Sequence, residues 1–284
     1  MTQRPFQQVD VFTATPYLGN PVAVVLQADG LDDATMQGFA RWTNLSETTF
    51  VLAPTEPDAD YRVRIFTPGG ELQFAGHPTL GSCHAWLAAG GSAKQSDCVV
   101  QQCGIGLVQI RRDGALLAFG APALTRTDVN AGLLSAVAAA LGLAPEQIRA
   151  SQLLDNGTRW LGLLLDSGDT VAQLNPDFGR LAATGEKVGV AALRTTASQS
   201  GTPADLDVRG FAPHLGANED PVTGSLNASL AQWLIADNRL PKRYQASQGA
   251  NLARAGRVLI DSDAAGQVWV GGHAVTCIEG SVRL

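Results

Sequence analysis

Two short stretches of the chain set a titratable side chain directly before a proline and a run that reads as a helix. The first is Phe74-Ala75-Gly76-His77-Pro78-Thr79 and the second is Asn218-Glu219-Asp220-Pro221-Val222-Thr223. Proline suits the first helical position, where an N–H would lack an intrahelical partner in any residue. The sequence therefore predicts a helix start at each place, offering backbone N–H groups and a partial positive charge. Such starts bind carboxylates, and Gly76, Gly81 and Gly224 would let a ligand approach the backbone. Two equivalent starts facing one cleft would clamp a small acid between the halves of the chain. A second reading stays open, in which His77 and Asp220 are plain helix caps. The third feature is Glu47, in Asn44-Leu45-Ser46-Glu47-Thr48-Thr49-Phe50. It lies between a helix-like stretch, Asp32–Thr43, and a strand-like one, Thr49–Leu52. It projects into a cleft as a proton carrier or stays solvated in its loop, which is the commoner fate of a glutamate.

Other chemistries find little footing. Cys83, Cys98, Cys103 and Cys277 form no CxxC and stand at no zinc spacing with His77, His84, His214 or His273. No metal site and no disulfide is expected, and all four cysteines read as small buried residues. Gly104-Ile105-Gly106 lacks the helix that a dinucleotide loop opens, and neither GxxxxGK[ST] nor GxSxG occurs. No nucleotide or redox cofactor is implied.

The elements that must hold these residues occur twice. Val63-Arg64-Ile65-Phe66-Thr67-Pro68 runs on to Thr79-Leu80-Gly81-Ser82, and Val208-Arg209-Gly210-Phe211-Ala212-Pro213 runs on to Val222-Thr223-Gly224-Ser225. Each copy is VRxFxP, a Gly-containing loop, then Gly-Ser opening a helix-like run. Pro21–Leu26 and Trp160–Leu165 echo each other before the repeat, as do Asp32–Thr43 and Pro176–Ala183, then Thr49–Leu52 and Val188–Leu193. The runs Thr79–Ala89 and Thr223–Ala236 are almost free of charge, as befits helices buried all round. Short alternating strands dominate elsewhere, among them Gln8–Phe12, Gly106–Arg111, Arg159–Leu165 and Val258–Ile260. The expected fold is α+β with two pseudo-symmetric lobes, each a sheet wrapped around a central helix. The first lobe covers 1–122, with the last strand, 274–284, returning to it. The second covers 123–273, joined by a connection near Gly120–Asn130.

Composition narrows the partners. The chain has 284 residues, 45% apolar and 16% charged, with a net charge of −6. It has no basic stripe, so nucleic acid is not the expected partner. No segment reaches a membrane span and the start lacks a signal pattern, so a cytoplasmic location is expected.

At these residues the sequence resembles a known family. VDVFTATPYLGNPVAVV, NLSETTFVL, IFTPGGELQFAGHPTLGS, GFAPHLGANEDPVTGS and the stretch from Ser247-Gln248-Gly249 to Gly256-Arg257 together resemble the PhzF-like proteins of phenazine biosynthesis. The likeness runs nearly end to end. It implies the diaminopimelate epimerase-like fold, a cofactor-free enzyme and a homodimer. It also implies isomerisation of a small carboxylic acid by a proton shift, as with trans-2,3-dihydro-3-hydroxyanthranilate. The family's acid–base glutamate falls on Glu47, its first-loop histidine on His77 and its second-loop aspartate on Asp220. Gly76, Thr79, Gly224 and Ser225 are expected to bind substrate. Epimerases of this fold place a cysteine at each helix start; here those places read Ala75 and Asp220, so a two-thiol mechanism is closed. Isomerisation or epimerisation of another small carboxylic acid, amino acids included, is the alternative, and a non-catalytic protein that binds a small acid is the second.

Overall fold

A computed structural model describes residues 2–194 and 205–284. The chain divides into two units, Met1–Gly120 with Gly271–Leu284, and Ala121–Val270.

The first unit is built from β1 (Gln3–Val11), β2 (Asn20–Val25), α1 (Asp33–Thr43), β3 (Thr48–Leu52), β4 (Tyr61–Thr67), β5 (Gly70–Leu72), α2 (Gly76–Ala88), β6 (Cys98–Cys103), β7 (Gly106–Asp113), β8 (Leu116–Gly120) and the chain's last strand, β18 (Ala274–Arg283). Its strands are ordered β18-β1-β2-β3-β4-β6-β7-β8, and β5 folds back on β4 as a short hairpin. The α2 helix touches β1, β2, β3, β4, β6, β8 and β18, so the sheet curls around it. A helix so enclosed has no face to give to water, which is why its residues Gly76 to Cys83 are all buried and include no Asp, Glu, Lys or Arg. On the outer side of this sheet α1 packs Met36 and Ala40 against Val25, Phe50 and Phe66.

The second unit holds β9 (Thr125–Thr127), α3 (Ala131–Leu141), β10 (Ile148–Asp155), β11 (Arg159–Leu165), α4 (Gly168–Gln173), α5 (Phe178–Ala183), β12 (Val188–Leu193), β13 (Leu206–Ala212), β14 (Ala217–Asp220), α6 (Gly224–Ala236), β15 (Arg243–Gln248), β16 (Gly256–Ser262) and the start of β17 (Val268–Gly272). Its order is β9-β10-β11-β12-β13-β15-β16, with β14 folded back on β13. From β18 and from β9 the pairings run in one sequence: antiparallel, antiparallel, parallel, antiparallel, parallel, antiparallel. The repeat in the sequence is thus a repeat of topology. The α6 helix lies on β10, β11 and β16 and buries Leu226, Leu230, Trp233 and Leu234. Burying each such side chain contributes about 1.5–3 kcal/mol. On the other side α3, α4 and α5 pack Val137, Leu141, Val171 and Leu181 against Leu161, Leu163, Val188 and Val190.

The arginine of each VRxFxP motif makes the same clamp. Arg64 on β4 binds Glu71 on β5 through Nε and Nη2, both at 2.7 Å, and its Nη1 reaches Asp33 at the start of α1. Arg209 on β13 binds Glu219 on β14 through Nε at 2.9 Å and Nη2 at 2.8 Å, and its Nη1 donates to the carbonyls of Val171 and Leu174. Each guanidinium lies 5.1 Å from the ring centre of the motif's own phenylalanine, Phe66 or Phe211. The motif therefore ties each hairpin to its neighbouring strand and to a helix outside the sheet.

The structure corrects several local expectations. Pro78 is the third residue of α2, not the first, and Pro221 lies before α6 altogether. Gly81 faces Val22 and Val11 closely inside the first unit, so its missing Cβ serves helix–sheet packing and not a ligand. Of the four cysteines only Cys83 is buried; Cys98, Cys103 and Cys277 are half-exposed, and none of the four is in a disulfide. The connection expected near Gly120–Asn130 is followed at once by α3, an unanticipated helix, capped by Asn130 and ended by the left-handed Gly142. The short α4, capped by Ser167, was equally unanticipated.

Candidate active site

In the first unit Glu47 is placed by what surrounds its backbone. Asn44 ends α1 with a left-handed φ of 54°, a conformation asparagine tolerates. Four residues later β3 begins, pairing in parallel with β2 from Ala23 opposite Thr48. The Thr48 hydroxyl is held by Thr43 at 2.8 Å, and Thr49 is held by Ser82 of α2 at 2.8 Å. Glu47 thus leaves a short, fixed connection at the strand edge beside α2. Its carboxylate Oε2 lies 3.3 Å from Nε2 of His77, with side-chain exposures of 16% and 6%. That is longer than a charge-assisted hydrogen bond between formal ions.

His77 is the second residue of α2, inside the first turn and not a cap. Its Nδ1 lies 3.4 Å from Asn20 Nδ2, at the start of β2. Burial pushes its pKa down to about 3, outweighing a hydrogen bond with the Pro21 backbone that acts the other way. The imidazole is therefore neutral near pH 7 and can act there only as a hydrogen-bonding group, not as a cation.

No side chain caps α2, since its N-cap is Ala75. Gly76 is buried at this start. Thr79 is buried as well: its N–H is spent on Ala75 O, and its hydroxyl accepts from Gln101, which in turn accepts from the Tyr61 hydroxyl. The first-turn N–H groups of Gly76 and His77 have no acceptor within the helix, and Pro78 has no N–H to add.

In the second unit Asp220 is not a cap either. It is the last residue of β14, opposite Gly210 of β13, and the N-cap of α6 is Thr223. The Thr223 hydroxyl donates to Asp220 Oδ2 at 2.6 Å, and the Thr223 N–H donates to Gln248 Oε1 at 3.0 Å. Gly224 is buried at the helix start. The Ser225 hydroxyl accepts from Trp160 Nε1 at 3.1 Å. Its neighbours in the loop divide their labour, since Glu219 belongs to the arginine clamp. A cavity of about 630 Å³ in this unit is lined by Ser167, Arg194, Asp207, Arg209, Ser247, Gln248 and Asn251 among others, and by none of the seven expected site residues. Its Arg194 is held by Asp207 and its Arg209 by Glu219.

The structure therefore brings Glu47 and His77 into contact and places Gly76 beside them. It groups Asp220 with Gly224 in the second unit. Asn20, Thr223 and Gln248 were missed by sequence reasoning. All three lie inside the stretches that carry the family resemblance, Asn20 in GNPVAVV, Thr223 in EDPVTGS and Gln248 in the Gln-Gly pair, but none was singled out. Among the described residues no three His, Cys, Asp or Glu side chains gather to hold a metal ion. No helix among them is long and apolar enough to cross a membrane.

Residues 9–280 match the PhzC-PhzF family, described as phenazine biosynthesis-like protein. "Antisense-enhancing sequence 1" of Schizosaccharomyces pombe is 37% identical, over 99% of both chains. A trans-2,3-dihydro-3-hydroxyanthranilate isomerase of Pseudomonas aeruginosa is 33% identical, over 97% of this chain and 98% of its own. The crystal structure of a PhzF-family phenazine biosynthesis protein from Enterococcus faecalis superposes with a TM-score of 0.80 at 28% identity, covering all of both chains. Topology and near end-to-end similarity agree: the chain belongs to the PhzC-PhzF family of phenazine biosynthesis-like proteins and is an isomerase.

Proposed function

We propose that this isomerase shifts a proton within trans-2,3-dihydro-3-hydroxyanthranilate, or a close carboxylic acid relative, by acid–base catalysis. The observation that supports it most is the Glu47 carboxyl set 3.3 Å from a buried imidazole whose pKa burial pushes down to about 3. Glu47 takes a proton from one carbon of the substrate and returns a proton to another, so the composition is unchanged and no electrons leave. His77 stays neutral and steadies the carboxyl by hydrogen bonding through the transfer. The uncapped start of α2 receives the substrate carboxylate on the N–H groups of Gly76 and His77. Asp220 supplies a fixed negative acceptor for a substrate amine or hydroxyl, and Gly224 and Ser225 complete the substrate contacts. The enzyme acts in the cytoplasm as a homodimer, which fractionation and sedimentation would test.

The purified protein is given trans-2,3-dihydro-3-hydroxyanthranilate in heavy water, and turnover and carbon-bound deuterium are followed by NMR. Deuterium should enter at the carbon that gains the proton. Glu47→Gln should fold and bind normally but lose about 10²–10⁴-fold in turnover, the usual worth of a positioned acid–base group. Turnover within threefold of the parent enzyme would remove Glu47 from the mechanism. An enzyme inert to this substrate but exchanging deuterium into another small acid would move the substrate and keep the chemistry.

A further inference from the structure

Gln248 is almost wholly buried at the end of β15, and every valence of its amide is used. Its Oε1 accepts from the Thr223 N–H at 3.0 Å and from Asn227 Nδ2 at 2.9 Å. Its Nε2 donates to the Asp220 carbonyl at 3.1 Å and to Thr223 Oγ1 at 2.9 Å. The orientation of this amide is not ambiguous, because a backbone N–H must point at its oxygen and a backbone carbonyl at its nitrogen. One consequence concerns the Thr223 hydroxyl. Its oxygen already accepts from Gln248, and its own hydrogen goes to Asp220 Oδ2 at 2.6 Å.

From this geometry we infer that Gln248 is a positioning residue for the reaction, acting through Thr223 to hold the Asp220 carboxylate in one rotamer with a permanent donor on Oδ2. The inference rests on the proposed role of Asp220. The surrounding backbone is shaped for it. Gly249 follows with a φ of +100°, and a Cβ there would stand 2.7 Å from the Pro221 carbonyl. Only glycine lets β15 come this close to the segment between Asp220 and Thr223. That accounts for the Gln-Gly pair. Asn227, wholly buried on the first turn of α6, braces the amide from the far side and donates also to Thr223 O at 2.9 Å. With the Gln248 amide and the Thr223 hydroxyl fully used, the polar groups packed here fix a single arrangement.

The relay has a direction, and a near-isosteric change reverses it. Gln248→Glu puts an oxygen where Nε2 stood, so the Thr223 hydroxyl must donate to residue 248 and turn its hydrogen away from Asp220. Thr223→Val removes the hydroxyl and keeps the shape, and Thr223→Ser restores it. In the full-length protein, ¹³C-carboxyl NMR should show Asp220 titrating at higher pH in Thr223→Val and Gln248→Glu, because the ionised form has lost a donor. Thr223→Ser should titrate as the parent does. Turnover should fall about 10–100-fold in kcat for Thr223→Val, the worth of one hydrogen bond to a charged group. KM should change little, and Thr223→Ser should recover most of the loss. Unchanged Asp220 titration in Thr223→Val would overturn the relay, even if that variant is less stable. So would a Thr223→Ser variant as impaired as Thr223→Val. Asp220→Asn, which keeps an oxygen for the Thr223 hydrogen and loses only charge, separates the two claims. If it stays active while the titrations shift as expected, the relay stands and the proposed role of Asp220 falls.

Discussion

The two arginine clamps have one chemistry and different surroundings, so they make a controlled experiment in burial. In the second unit Arg209 and Glu219 are each only 6% exposed. Glu219→Gln keeps the shape but removes the charge opposite a buried guanidinium and turns an NH₂ toward one of its N–H groups. Breaking a buried pair from one side costs about 3–5 kcal/mol, because the remaining charge is left uncompensated. The carbonyls of Val171 and Leu174 still accept from Nη1, which favours the lower end, about 3 kcal/mol. In the first unit Glu71 is far more exposed and Arg64 keeps Asp33 as a second partner. Glu71→Gln should therefore cost no more than about 1 kcal/mol, in the range of solvent-exposed pairs. Urea unfolding of both variants, followed by circular dichroism, measures the difference directly. Because Glu219 adjoins Asp220 on β14, its replacement should also depress turnover, while Glu71→Gln should not. Equal losses of stability, or a Glu219→Gln cost below about 1 kcal/mol, would refute the argument from burial.

Two further outcomes follow from the first unit. The pKa of His77, pushed down to about 3 from the ordinary 6.5, means the unfolded chain binds more protons between those values. The stability this residue confers is complete above about pH 6.5 and is lost on acidification toward pH 3, at up to about 1.4 kcal/mol per unit. His77→Gln should flatten that slope in urea titrations from pH 7.5 to 4.5; a slope as steep as the parent's would assign the loss to other groups. At Gly81 an added Cβ would stand 2.3 Å from Val22 Cγ1 and 3.1 Å from Val11 Cγ2. Gly81→Ala should thus destabilise by about 1–3 kcal/mol through overpacking, despite alanine's better helix propensity; a higher melting temperature would show that the sheet yields there.

What the sequence disclosed and what it withheld divide along a physical line. The repeat was legible because VRxFxP and the two uncharged helices are dictated by burial, and burial writes itself into residue type. The two-unit α+β architecture followed from it, and the family resemblance identified that architecture as the diaminopimelate epimerase-like kind. The helix starts were misplaced because the argument leaned on proline. Pro78 is tolerated at the third helical position, where the missing N–H is still one of the four without an intrahelical acceptor. Pro221 serves the link between β14 and α6 instead. The α3 helix carried its own signals, Asn130 before and Gly142 after, yet was passed over because the repeat has no counterpart for it.

The site shows the same division more sharply. Glu47 reads from composition as a loop glutamate, and only the family resemblance of NLSETTFVL marks it as more. Its approach to His77 depends on a parallel pairing of β2 with β3 and on the seating of α2 against both. Those are contacts between residues far apart in sequence, beyond any spacing rule. In the second unit the three consecutive polar residues Asn218, Glu219 and Asp220 look interchangeable, but alternation along a strand sends neighbours to opposite faces. Glu219 consequently turns to Arg209, and Asp220 turns to Thr223. Had β14 been recognised as a strand, that alternation alone would have split the two carboxylates into one that supports structure and one available for chemistry. The cap reading of Asp220 fails for the same reason. A residue that ends a strand three positions before the N-cap aims its carboxylate at the N-cap side chain, where Thr223 and Gln248 have already decided which way the proton lies.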